Sequence, residues 1–307
     1  MSHRIQTTFL LSLAVLIVSA RSVASQSPVF GRWDLTATQG DDRWPMWLEL
    51  RAGPSGRLQP RGGHALPLIG VLVQGNKVSF TVPADEPTPT GQEFTAIANG
   101  DTLTGVITGQ AGVRITVTGK RAPSLVRSRS AEWGQPIDLL AGGLSGWQVR
   151  TPGVKNGWTH VNGELINAPP STDLVSGRTF TDFRLHLEVN VPKGGNSGIY
   201  LRGRYEIQVQ DDFGKAPGNR LMGGIYGQVQ PMSLPAKPAR EWQTFDITLI
   251  GRRVTVALNG VTIIDNVEIP GITGGALDSD EAAPGPLMLQ GDHTGVKYRN
   301  IRIIPAK

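Results

Sequence analysis

Three observations predict an all-β fold in two parts, a small antiparallel barrel followed by a sandwich of antiparallel sheets. Apolar and polar residues alternate with period 2 in short runs along most of the chain, and no helical period intervenes. The runs are punctuated by turn signals such as Gly75-Asn76 and Asn259-Gly260. The 39 Gly and 22 Pro among 307 residues, with only 18% charged residues, suit many strands and tight turns better than helices.

The first element read along the chain is a leader. His3 and Arg4 form a basic start, Phe9–Val18 is an apolar run, and Ser22-Val23-Ala24-Ser25 supplies small residues, the layout of a secretory signal peptide over residues 1–25. The run falls short of the ~20 apolar residues of a membrane span. The expectation is therefore a secreted or periplasmic protein, cleaved near Ala24 or Ser25 and without a membrane anchor afterwards. With no cysteine there is no lipid attachment point and no disulfide, so stability must come from buried cores.

Residues 28–120 read as the barrel. Met46–Leu50, Lys77–Val82, Thr102–Val106 and Val113–Val117 alternate and are separated by Gly53-Pro54-Ser55-Gly56 and Asn99-Gly100-Asp101. Gly31-Arg32-Trp33 resembles the Gly-x-Trp that opens the first strand of lipocalin-type barrels, which implies a Trp plugging one end. The barrel's role is open between ligand carrier and docking domain.

Residues 121–132 lose the period and gather Arg, Ser and Pro, which marks a linker. The net charge of +5 raises the question of an anionic partner. Lys and Arg are scattered, however, and the one basic cluster, Arg121, Arg127 and Arg129, reads as solvated linker, so no nucleic-acid partner is expected.

Residues 133–307 form the second part. Phe183–Val191 places Leu185, Leu187, Val189 and Val191 on one face and Arg184, His186, Glu188 and Asn190 on the other. Ile199–Arg202 and Tyr205–Gln210 repeat the scheme, setting Tyr200 and Arg202, then Glu206, Gln208 and Gln210, opposite the aliphatic positions. Phe245–Leu249 and Val254–Leu258 continue it, and Asn259-Gly260 signals a type I′ hairpin.

Specific blocks lie on this frame. They include Asp182-Phe183-x-Leu185-x-x-Glu188, Gly195-Asn196-Ser197-Gly198-Ile199-Tyr200-Leu201-Arg202 and Tyr205-Glu206-x-Gln208-x-x-Asp211. Ile225-Tyr226-Gly227-Gln228, Glu241–Asp246 and Val296–Ile301 follow. In this order and spacing, residues 133–305 resemble the 3-keto-disaccharide hydrolase domain family. The resemblance implies a concanavalin-A-like jelly roll and an exported enzyme acting on 3-keto-disaccharides or 3-keto-glycosides.

The chemistry so implied is removal of the acidified C2 proton, elimination of the C1 substituent and hydration. It needs a base, donors for an enediolate oxygen and an acid. Glu188 or Glu206 is expected as base, Arg202 as enediolate stabiliser, and His293 or Asp211 as loop-borne assistants. Tyr200, Gln208, His186, Trp158 and Arg299 are the remaining expected substrate contacts. Each of these polar residues has solvated strand surface as its plainer reading. His186 and Glu188 with Glu206 could together hold a divalent metal, although no His-x-His or His-Glu-x-x-His supports it, and no cofactor is otherwise indicated. Trp133, Trp147, Trp158 and Trp242 could stack on sugar rings, with core packing the expectation for Trp147 and Trp242. His64 and His160 read as surface residues. No nucleotide fingerprint is present, so a separate sugar 3-dehydrogenase is the expected upstream partner. The alternatives are a non-catalytic carbohydrate-binding protein and an ordinary two-carboxylate glycosidase.

Overall fold

The computed structural model describes residues 27–83, 91–127 and 131–307; the leader expected over residues 1–25 and Arg129 of the basic cluster lie outside them. Nine strands make the first unit: β1 (Gly31–Gln39), β2 (Asp42–Arg51), β3 (Ser55–Gln59), β4 (Leu66–Pro67), β5 (Ile69–Gln74), β6 (Lys77–Thr81), β7 (Glu93–Asn99), β8 (Thr102–Thr108) and β9 (Arg114–Arg121). They form one antiparallel sheet in the order β4-β3-β2-β1-β9-β8-β7-β6-β5, curled into a nearly closed barrel.

Alternation points Trp33, Leu35, Met46, Leu48, Phe80, Phe94 and Val117 inward, where Phe80 and Phe94 stack at 4.7 Å. Trp33 is fully buried, donates its indole N–H to the Val29 carbonyl and lies beneath the Arg121 guanidinium at 3.8 Å. Gly31 is required here. Its φ is +115°, and a Cβ would meet Arg121 Nη1 at 2.8 Å. Of the linker arginines, Arg121 packs over Trp33, while Arg127 is exposed and pairs with Asp182 at 2.9 Å.

The second unit comprises β10 (Ile137–Asp138), β11 (Trp147–Val149), β12 (Trp158–Val161), β13 (Glu164–Asn167), β14 (Leu174–Phe180), β15 (Phe183–Asn190), β16 (Asn196–Leu201) and β17 (Tyr205–Gln210). It continues with β18 (Trp242–Ile250), β19 (Arg253–Leu258), β20 (Val261–Glu268), β21 (Gly285–Leu289) and β22 (Val296–Pro305). An eight-stranded sheet runs β12-β13-β22-β15-β18-β19-β20 with β10 on β22, and a five-stranded sheet runs β11-β14-β21-β16-β17. The two enclose one apolar core, the concanavalin-A-like jelly roll expected, with Leu185, Leu187, Ile199, Ile207, Phe245, Val256, Leu289 and Ile301 all at most 2% exposed. Asn259 and Gly260 adopt φ of 51° and 80° between Leu258 and Val261, as the hairpin signal predicts.

The barrel docks on this sandwich through Trp47. Its neighbours Met46 and Leu48 face the barrel interior, so Trp47 points outward, and it is fully buried in the sandwich core against Gly271. Arg32 reaches the Pro270 carbonyl and Glu268 beside it. Asp34 of β1 sits next to Glu281 of the sandwich, whose own oxygens accept from Tyr205 Oη and Arg252. Burial and the neighbouring Glu281 push the Asp34 carboxyl up to about 9, which keeps it protonated near neutral pH.

Candidate functional site

The site grows from the β16–β17 hairpin. In its register Tyr200 faces Glu206 and Gly198 faces Gln208. Ser197, Ile199 and Leu201 go to the core, so Asn196, Gly198 and Tyr200 share the opposite face with Glu206 and Gln208. That face floors a pocket of about 220 Å³. Arg150 and Asp173, flanking β11 and β14, form one side; Asp292 and His293, from the loop after β21, form another. Gly62 and Gly63 of the barrel close the rim. A larger groove of about 880 Å³ runs between β1, β8, β9 and the 277–282 loop. Asp278 there is spent on Arg204 and Arg121 on two backbone carbonyls, whereas the smaller pocket brings an acid, an imidazole and a guanidinium together on the face of the sandwich.

Glu206 dominates the electrostatics. Its residue is 4% exposed, and burial raises the carboxyl to about 8, against opposing pulls from a Tyr200 hydrogen bond and the His293 charge. The space for that carboxyl comes from Gly198, where a Cβ would stand 2.4 Å from Glu206 Oε1. The Tyr200 hydroxyl donates to the Gly274 carbonyl at 3.0 Å and is itself held neutral by burial. A protonated Glu206 can therefore donate to Tyr200, and an ionised one receive from it only when the hydroxyl turns away from Gly274.

His293 bonds Asp292 through Nδ1, which raises the imidazole above its usual 6.5 and lowers the Asp292 carboxyl. Arg150 is held by Asp173 at 2.9 Å and by the Ala276 carbonyl at 3.3 Å. Gln208 donates to Asn196 Oδ1 at 3.1 Å and to Gln210 Oε1 at 2.8 Å, which fixes its amide. One pocket thus holds a buried acid of raised pKa, an oriented imidazole, a fixed guanidinium and neutral donors.

Of the residues singled out in the sequence, Glu206, His293, Tyr200 and Gln208 meet here. The expectation of one shared polar face is corrected for the others. Glu188, His186 and Arg299 lie on the outer face of the eight-stranded sheet. There Glu188 accepts from Arg299 and Asn300, His186 pairs with Asp246, and Arg299 covers Trp242 at 4.0 Å. A potential metal set of His186, Glu188 and Glu206 is therefore split between two sheets. Among the described residues no group of three His, Asp or Glu is placed to hold a metal.

Arg202 leaves the alternation because β16 ends at Leu201 and its own φ is +52°. Its guanidinium turns inward to Tyr205 Oη, Gly251 O and Glu281 O and is wholly buried. Asp211 accepts the Gly194 N–H and shapes that turn. Trp158 is 2% exposed, donates to the Thr172 carbonyl and packs under Gly291, supporting the His293 loop from below. Trp147 packs in the core as expected, whereas Trp242 is half-buried beneath Arg299. His160 is half-buried with Nε2 enclosed, and His64 lies against Gly227 at the barrel–sandwich contact, so neither is plain surface. Sequence reasoning passed over Arg150 and Asp173, because neither sits in an alternating run.

The profile of the family described as the 3-keto-alpha-glucoside-1,2-lyase-like domain matches residues 135–304. The chain belongs to this family. It is thereby placed among carbohydrate-active hydrolases and lyases, and the family domain coincides with the sandwich. Solved structures similar to the chain include two from Parabacteroides distasonis, each provisionally named a glycosyl hydrolase. One is 26% identical with a TM-score of 0.48, over 64% of this chain and 98% of its own. The other is 22% identical with a TM-score of 0.43, over 55% and 98%. No curated protein matches the chain.

Proposed function

We propose that the pocket cleaves 3-keto-glycosides by elimination followed by hydration. The observation that carries this reading is the enclosure of Glu206, a carboxyl raised to about 8, with Arg150 and the His293–Asp292 pair in a single pocket of the family domain. A raised carboxyl is a stronger base than an exposed one, which suits abstraction of a carbon-bound proton made acidic by a neighbouring ketone.

Glu206 takes the C2 proton, and the electron pair moves into a C2–C3 enediolate whose oxygen is met by Arg150. Collapse restores the C3 carbonyl, forms the C1–C2 double bond and breaks the C1–oxygen bond. The departing oxygen takes a proton from the His293 imidazolium. Water then adds across C1–C2, with hydroxyl to C1, the water's other proton to the now neutral His293 imidazole and the proton of Glu206 returned to C2, so both groups are reset and the net change is hydrolysis. The ketone comes from a separate sugar 3-dehydrogenase, and both enzymes work outside the cytoplasm, in keeping with the leader.

Incubating the protein with a 3-keto-glucoside and with its unoxidised parent, in the presence and absence of chelator, tests the reading by mass spectrometry of the products. Cleavage of the keto sugar alone, lost in Glu206→Gln, is expected. Equal cleavage of both sugars, or binding without turnover of either, overturns it, the latter in favour of a carbohydrate-binding protein.

A further inference from the structure

We infer that the barrel, which lies outside the family domain, supplies a specificity wall of this pocket: its β3–β4 loop forms the rim past which the leaving group of a substrate, up to a second sugar ring, must fit. The inference rests on the proposed function for the identity of the sugar, but its geometry stands apart from it.

The loop is built for its place. Gln59, wholly buried, donates its side-chain amide to the carbonyls of Pro60 and Gly62, at 3.1 Å each, and so folds the loop back on itself. At the tip, Gly62 and Gly63 line the pocket opposite the β16–β17 floor. Backbone meets backbone there: a Cβ on Gly274 would lie 2.2 Å from the Gly63 carbonyl oxygen. A Cβ on Gly227 would lie 2.3 Å from His64 Cβ, so the sandwich leaves room for the loop on two sides. Trp47, buried in the sandwich one strand away, fixes the barrel and therefore the loop. Gly274 also accepts the Tyr200 hydroxyl, so the segment touched by the loop is the one that positions a pocket donor.

Size sets the substrate class. The pocket volume of about 220 Å³ is below the ~300–1,000 Å³ of sites that engulf drug-sized ligands. A single ring fits, and a second ring must leave past the glycine rim. Glycine at the rim keeps the wall thin, and any side chain there narrows the exit.

The test compares wild type with Gly62→Phe on a 3-keto methyl glucoside and a 3-keto disaccharide. Because an overfilled site rejects bulk, kcat/KM for the disaccharide should fall about tenfold or more relative to the methyl glycoside. An equal change for both, or none, overturns the wall. A second measurement needs neither a variant nor turnover: hydrogen exchange of wild type with and without the unoxidised disaccharide. Slowed exchange at residues 60–64 is expected, and unchanged exchange there in a protein saturated with sugar overturns the inference. If no keto sugar is cleaved but exchange at 60–64 slows, the proposed reaction fails and the wall stands.

Discussion

Asp173 grips Arg150 with one carboxylate oxygen, Oδ2, at 2.9 Å, while its other oxygen accepts the N–H of Gly291 at 3.0 Å. A single buried acid thus sets both the guanidinium and the start of the loop that carries His293. Asp173→Asn keeps the shape but turns an amide N–H toward either the guanidinium or the Gly291 N–H, whichever the flip selects. The expected cost is about 2 kcal/mol in denaturant unfolding, with kcat falling more than KM rises. Unchanged kinetics would separate Asp173 from the pocket.

Glu206 gives a pH signature. As a base it must be ionised, so kcat/KM should have a bell-shaped pH profile, its rising limb set by Glu206 ionising near 8 and its falling limb by loss of the His293 imidazolium, which Asp292 holds above its usual value. His293→Ala should abolish the decline and move the climb to higher pH, because the imidazolium no longer pulls the Glu206 carboxyl down. Glu206→Gln should lower kcat about 10²–10⁴-fold.

The same variant should be more stable than wild type. Between the ordinary carboxyl value of 4.5 and about 8, folded Glu206 keeps a proton that the unfolded chain releases. Stability therefore falls with rising pH across that window. Glutamine removes the dependence, so at pH 8 its Tm should exceed that of wild type by about 2–4 °C in a calorimetric scan. A lower Tm would mean that the carboxyl is not buried as described.

Gly198→Ala adds a methyl 2.4 Å from Glu206 Oε1. The carboxyl must shift, at a cost of roughly 1–3 kcal/mol, and activity should drop while the circular dichroism of the fold is kept. Glu188→Gln, on the outer sheet face, provides the contrast: stability within about 0.5 kcal/mol of wild type and unchanged turnover.

Asp34 offers a further pH test, at the seam between the two units. Its carboxyl is raised from 3.8 to about 9, so stability again declines with pH between those values. Asp34→Asn should flatten that slope and stabilise the protein at pH 9, as measured by urea midpoints.

Strand alternation made most of this architecture legible, because a half-buried strand writes its two faces directly into the chain. It placed Tyr200, Glu206 and Gln208 on one side correctly. Alternation says nothing about which sheet a strand joins, so Glu188 and His186 read as neighbours of Glu206 although they face away from it on the other sheet. It also fails where a strand stops: the positive φ of Arg202 reverses the direction its side chain would have had. Arg150, Asp173 and the Gly62–Gly63 rim stand in turns and at strand ends, and only long-range packing brings them together.

Trp47 belongs by sequence to one unit and by burial to the other. The barrel is in that sense a bung for the sandwich: pull it out and an aromatic-sized socket beside Gly271 opens to water, while a bare indole is left on the barrel. Neither half has a finished surface of its own, so heat or denaturant should melt the chain in one cooperative step. Any lineage that lost the barrel would have had to resurface the socket.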